Sequence, residues 1–134
     1  MRQLQVKAAS RTYEVLIETG LLDRLSGHLD PGTFYVVVSD DHIPAPYVEK
    51  VTAACPNHIV IRFPEGEGSK SLAELGRIVD VMTDQCVRKD SCVIALGGGV
   101  TGDLAGFAAA VYLRGIPFIQ IPTTLLSQID SSVG

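Results

Sequence analysis

The run Cys92-Val-Ile-Ala-Leu-Gly-Gly-Gly-Val-Thr-Gly-Asp103 constrains this chain more than any other stretch. A β-branched segment drops into three consecutive glycines and passes at once into a helical pattern. In sequence, that is how a strand–loop–helix phosphate cradle looks. Gly97, Gly98 and Gly99 are free to take positive φ and bring N–H groups close to a ligand with no Cβ in the way. Gly102 lets the following helix start near the strand, so that the unpaired amides of its first turn, including Val100 and Thr101, border the loop. The spacing fits G-x-G-x-x-G through Gly97, Gly99 and Gly102. Asp103 and Leu104 stand where a triphosphate-binding loop requires Lys and Ser or Thr, which argues against that loop. From spacing alone, a glycine turn that only packs a helix onto a sheet remains the alternative.

The rest of the chain alternates strands and helices. Leu4–Ala8 and Thr12–Glu18 read as a hairpin, and Gly20–Leu29 carries leucines at helical spacing before Asp30-Pro-Gly stops it. Phe34–Val38 has the profile of a buried parallel strand. Pro44 and Pro46 suit the first turn of a helix running to about Ala54. His58–Phe63 is the next strand, followed by the polar loop Pro64–Ser69. Ser71 and Glu74 form a capping box, and Leu72, Leu75, Val79, Met82 and Cys86 mark one helical face. Cys92–Leu96, Leu104–Leu113 and Ile116–Ile121 then read as strand, helix and strand. The expected fold is α/β: a doubly wound, mostly parallel sheet of Rossmann-like type with an N-terminal β-hairpin. Ligands of such sheets sit beyond the carboxyl ends of the strands. That topology puts Ser39–Asp41, Glu65–Lys70, Gly97–Asp103 and Thr123–Thr124 along one edge.

At 134 residues the chain has the length of one domain, and 46% hydrophobic with 19% charged residues is a globular composition. A net charge of −4 argues against nucleic acid as a partner. No apolar run approaches the length of a membrane span, and the N-terminus lacks the apolar core of a signal peptide. Cys55, Cys86 and Cys92 form no C-x-x-C and read as reduced, mostly buried thiols, so a soluble cytoplasmic chain is expected. His28, His42 and His58 have no metal-ligand spacing, and no metal site is expected here.

Gly97-Gly-Gly-Val-Thr-Gly-Asp-Leu-Ala-Gly-Phe, Tyr112-Leu-Arg-Gly and Ile121-Pro-Thr-Thr-Leu-Leu-Ser-Gln-Ile-Asp-Ser-Ser-Val-Gly134 together resemble the 3-dehydroquinate synthases. The close match covers the last forty or so residues, with weaker correspondence back through Glu65–Lys70. The resemblance implies a lyase of the shikimate pathway that uses NAD and a divalent metal, zinc or cobalt. Its substrate would be the sugar phosphate 3-deoxy-D-arabino-heptulosonate 7-phosphate, converted to 3-dehydroquinate and phosphate. In that family the metal is held by a Glu and two His of a following helical domain, which this sequence lacks. Residues 1–134 are therefore expected to be the N-terminal NAD-binding domain of a longer enzyme, inactive alone. The family is often dimeric, which leaves a homodimer open. A metal-dependent polyol or glycerol dehydrogenase, a related sugar-phosphate cyclase and a non-catalytic nucleotide-binding module are the rival readings.

By this resemblance the cofactor-binding residues are Asp40, Glu65, Gly66, Glu67, Gly68, Ser69, Lys70, Gly98, Gly99, Val100, Thr101, Gly102, Asp103, Thr123 and Thr124. Asp40 follows the Phe34–Val38 strand, where a carboxylate can accept both hydroxyls of an adenosine ribose or simply cap the next turn. Lys70 supplies a mobile positive charge. Asp103 is favoured in a first helical turn by the dipole and is assigned to the ribose or nicotinamide side. Thr124 has an alternative as a helix N-cap. Asp130 is carried over as the catalytic residue on the substrate side.

Overall fold

The computed structural model describes residues 2–9, 11–124 and 126–128. Strands β1 (Arg2–Lys7) and β2 (Thr12–Ile17) pair antiparallel as a separate hairpin. A four-stranded sheet follows, built from β3 (Phe34–Asp40), β4 (Asn57–Phe63), β5 (Cys92–Gly97) and β6 (Phe118–Pro122). Its order is β4-β3-β5-β6, and every pairing is parallel. Helices α1 (Ala45–Ala53), α2 (Leu72–Asp84) and α3 (Gly99–Val111) make the crossovers. The doubly wound α/β class is thus present.

Alternation along the central strands supplies two cores, because successive side chains of a strand face opposite ways. Val36 and Val38 of β3, with Val93 and Ala95 of β5, pack with Ile78, Met82, Leu104, Ala105 and Ala108 of α2 and α3. Tyr35, Val37, Ile94 and Leu96 face the other way, onto Leu25 and Val51. One helix and the segment before β3 thus cover one face, and two helices cover the other. Ser39 is fully buried, and its hydroxyl donates to the Leu96 carbonyl at 2.9 Å, locking the carboxyl ends of β3 and β5 together.

Three local expectations are corrected. Leu21–His28 is a 3-10 segment with a break at Arg24, not an α-helix. A glycine in its second turn and one buried residue leave little to hold a regular helix. The helix expected over Leu104–Leu113 begins five residues earlier, at Gly99, and stops at Val111.

The third correction concerns α2. Its buried face is Ile78 and Met82 with Leu75 and Val79 beside them, whereas Leu72 is 83% exposed. The Ser71 hydroxyl accepts from Glu74 N–H at 3.1 Å, but the Glu74 carboxylate turns to Arg77. Cys86 lies past the helix end at φ 55° and is exposed. Cys86 N–H bonds to Thr83 C=O and Val87 N–H to Met82 C=O, both at 3.0 Å. This is a Schellman closure, whose left-handed position favours glycine.

Cys55 and Cys92 are buried as expected, and burial pushes the Cys92 thiol up to about 12. Among the described residues no helix is long and apolar enough to cross a membrane.

Cys86→Gly relieves the left-handed strain without removing a buried contact. It should raise stability by about 0.5–1 kcal/mol, read as a higher urea midpoint at unchanged slope.

Candidate functional site

Four parallel strands deliver four turns to one rim. β3 leads through α1 to β4 on one side, while β5 leads through α3 to β6 on the other, so the winding reverses between β3 and β5. Crevices form where winding reverses. A cleft of about 350 Å³ opens there, lined by Asp40, His42, Ile43, Phe63, Glu65–Glu67, Gly98–Thr101, Thr123 and Thr124. A larger open hollow of about 660 Å³, lined in part by Thr33, Phe34, Cys86 and Ser91, lies at the opposite ends of the strands. The turns after the strands do not reach it.

After β3, the Asp40 carboxylate accepts from His42 N–H at 2.8 Å and from Ile43 N–H at 3.1 Å. It therefore does cap its turn, as the plainer reading held, while still bordering the cleft. Asp41 accepts from Glu65 N–H at 2.9 Å and ties this turn to the one after β4. The His42 ring sits 3.2 Å from Asp41 Oδ1 and 3.7 Å from Glu65 Oε2.

After β4, Gly66 adopts φ +111°, a conformation other residues rarely take, and so sets the course of the acidic loop. Glu67–Ser69 form one 3-10 turn. The buried Ser69 hydroxyl donates to the Pro64 carbonyl, a bond that closes the loop on itself.

After β5, none of the three consecutive glycines has positive φ; among the described glycines only Gly20, Gly66 and Gly115 do. The reason for glycine here is clearance. A Cβ on Gly97 would meet Thr101 Oγ1 at 2.4 Å and Thr101 Cβ at 2.8 Å. One on Gly98 would meet Thr124 Cγ2 at 3.3 Å, and one on Gly102 would meet Gln120 Oε1 at 2.8 Å. The helix start is thus seated directly on the strand ends, with the amides of its first turn lacking intrahelical partners.

After β6, Thr123 N–H donates to Gly97 C=O at 2.9 Å and extends the ladder. Thr124 Oγ1 accepts from Ser127 N–H at 3.2 Å and lies 2.8 Å from Ser127 Oγ, so the N-cap role is filled.

Lys70 and Asp103 do not line the cleft; they pair with each other at 2.8 Å beside it. The Asp103 carboxylate raises the Lys70 ammonium above its ordinary 10.5. A raised lysine contributes fully below that value and loses its contribution only as pH climbs through the folded value, so the pair persists across the neutral range. Gly68, Ser69 and Gly102 also lie outside the lining. His42, Ile43 and Phe63 belong to it and were missed. Their signal was position alone: Phe63 ends a strand, and His42 and Ile43 follow one. Asp130 lies outside the described residues.

The cleft is chemically two-sided. Asp40, Glu65 and Glu67 offer carboxylates for hydroxyls, while the glycine loop and helix start offer bare amides and the positive end of a dipole for an anion. Its size is within the range of small-ligand sites. These features fit a dinucleotide whose sugar and pyrophosphate need those two environments. They do not fit a divalent metal. Asp40, Asp41 and His42 bring possible ligand atoms within 4.8 Å of one another, but the cluster lies at the exposed rim and its carboxylates serve the turns.

The family model for the 3-dehydroquinate synthase N-terminal region matches residues 60–134. The 3-dehydroquinate synthase of Desulforamulus reducens is 43% identical over 141 residues, covering all of this chain and 39% of the relative. The chain thus spans about two fifths of that relative's length. A solved 2-deoxy-scyllo-inosose synthase, complexed with carbaglucose-6-phosphate, NAD+ and Co2+, superposes with a TM-score of 0.86 at 26% identity. That match covers 97% of this chain and 37% of the other. The 2-epi-5-epi-valiolone synthase of Streptomyces hygroscopicus, with NAD+ and Zn2+ bound, superposes with a TM-score of 0.71 at 28% identity, over 83% and 33% of the two chains.

Gly97→Ala forces Thr101 and the start of α3 off the strand. It should cost about 1–3 kcal/mol in urea unfolding, as overpacking does.

Proposed function

The chain belongs to the 3-dehydroquinate synthase N-terminal family, and on that premise we propose that it is the NAD-holding domain of such an enzyme. One observation carries the reading: four strand-end turns meet around a single cleft at the winding reversal, with carboxylates on one side and bare amides on the other. The NAD+ in the two solved relatives supports it.

In this reading Asp40 receives the hydroxyls of the adenosine ribose, and Glu65 and Glu67 border the same side. The amides of Gly99, Val100 and Thr101 face the pyrophosphate, which Gly98 admits by having no side chain. Thr123 offers a hydroxyl from β6. Lys70 and Asp103 stand at the edge as a matched pair, so a bound anion is not set against an uncompensated carboxylate. NAD supplies reversible hydride removal from a secondary alcohol when bound. This chain's part is to orient the dinucleotide and to shield its anionic centre. Asp130 is proposed to face the substrate, the sugar phosphate from which phosphate is lost in forming 3-dehydroquinate. The divalent metal would be held by residues beyond the set described here.

Calorimetric titration of the chain with NAD should show stoichiometric binding. Gly98→Val, which drives branched carbon into Thr124 and fills the cradle, should lower the affinity by a factor of about 100 or more, the loss of several amide contacts. Absence of binding by the unaltered chain would refute the reading.

Asp130→Ala, placed in the longer enzyme, should leave NAD affinity unchanged and remove turnover. Near-normal turnover in that variant would remove Asp130 from the substrate side.

A further inference from the structure

We propose that Arg62, which lies outside the cleft lining, is a positioning residue for its Asp40 side. Its guanidinium holds the Asp40–Ile43 turn in the shape that receives the adenosine half of a dinucleotide. The inference rests on the NAD reading above and adds a residue to it.

Arg62 lies on β4 opposite Ser39 of β3, one residue before the end of its strand. Its Nε donates to the Asp40 carbonyl at 2.9 Å, and its Nη2 donates to the Ile43 carbonyl at 3.1 Å. Those carbonyls stand at the two ends of the turn. On the inside, the Asp40 carboxylate collects the N–H groups of His42 and Ile43. The turn is therefore gripped twice: a carboxylate gathers its donors and a guanidinium gathers its acceptors. A lone Asx turn at an exposed rim keeps only the first grip and is free to tilt.

The choice of partner is informative. Asp41, Glu65 and Glu67 occupy the neighbouring turns, yet among the described residues Arg62 joins no ion pair and spends its donors on two main-chain carbonyls. A guanidinium stays charged at any working pH, and its rigid fork spans two acceptors that a lysine cannot hold at once. The half-buried site strengthens both bonds. The Arg62 carbonyl in turn accepts from Arg77 Nη2 at 2.6 Å, which links this corner to α2. A ribose needs both of its hydroxyls met by one carboxylate, and a small tilt of that carboxylate loses the second bond. Arg62 acts on the ligand through Asp40 and does not touch it.

The test compares the chain with its Arg62→Gln, Arg62→Lys, Asp40→Asn and Asp40→Asn/Arg62→Gln variants, each titrated with NAD, AMP and nicotinamide mononucleotide. Urea midpoints are measured alongside. Arg62→Gln should weaken NAD and AMP roughly tenfold, the scale of two charge-assisted bonds, and leave the mononucleotide within about twofold. Arg62→Lys should recover part of the loss. With Asp40→Asn already present, Arg62→Gln should add no more than about twofold, because both act through one turn. A purely structural arginine would instead lower the urea midpoint and weaken AMP and the mononucleotide alike, which overturns the inference. Unchanged NAD and AMP affinity in Arg62→Gln, or full additivity with Asp40→Asn, overturns it as well. Failure of the unaltered chain to bind NAD or AMP sinks the NAD reading and this inference together. Binding by the unaltered chain with an indifferent Arg62→Gln sinks the inference alone.

Discussion

Parallel pairing of β3, β4, β5 and β6 is the constraint on which the site depends. Parallel strands cannot be joined by a tight hairpin, so each must return across the sheet through a crossover before the next begins. Every strand then ends at the same edge, and four turns distant in sequence become neighbours without any one of them being sticky. The reversal of winding between β3 and β5 adds the concavity, because the chain departs in opposite directions on either side of that line. Ser39 secures the line itself: a buried hydroxyl with no carbonyl to meet would be costly, and Leu96 supplies that carbonyl.

The second constraint is closeness. Three glycines touch neighbouring elements where a methyl group would stand: Gly97 at Thr101, Gly102 at Gln120 and Gly106 at Phe118. With Ala105, Ala108 and Ala109 buried beside them, they let α3 lie low on the sheet along its length. A helix seated this close presents its first amides at the mouth of the cleft, not above it. These glycines serve packing, while Gly98 and Gly99 are the two of the run that line the cleft.

Charge is arranged to match. Carboxylates collect at the turns after β3 and β4, where hydrogen-bond donors of a ribose would sit. Asp103, which falls past the first turn of α3 because the helix begins at Gly99, is paired with Lys70. Main-chain amides of the glycine loop and helix start, which cannot be titrated away, border the other side of the cleft. An arrangement of this kind suits a ligand with both neutral hydroxyls and a central negative charge, which is what the proposed NAD role requires.

Much of this was legible in the residues. Continuous apolar runs at Phe34–Val38 and Cys92–Leu96 had the profile of strands buried on both faces, and proline at Pro44 and Pro46 announced a helix start. The candidate turns followed from those strands, since a strand's end is local information. Errors came where local preference was overruled. The apolar periodicity of α2 rightly marked Leu75, Val79 and Met82 but also took in Leu72 and Cys86 and passed over Ile78; Leu72 stays exposed, and the chain leaves the helix in a left-handed closure at Cys86. Positive φ at the triple glycine was a reasonable local reading; the actual need was for space, set by Thr101 one helical turn on and by Thr124 from beyond β6.

The sequence by itself thus determined the class of fold, the strands and the identity of the loops, because hydrophobic period and turn chemistry are written residue by residue. Tertiary structure alone decided how the loop residues divide: which line the cleft, which, like Ser69, hold its walls, and which, like Lys70 and Asp103, answer each other beside it. Those roles depend on distances between groups separated by dozens of residues, and only the packed sheet sets such distances.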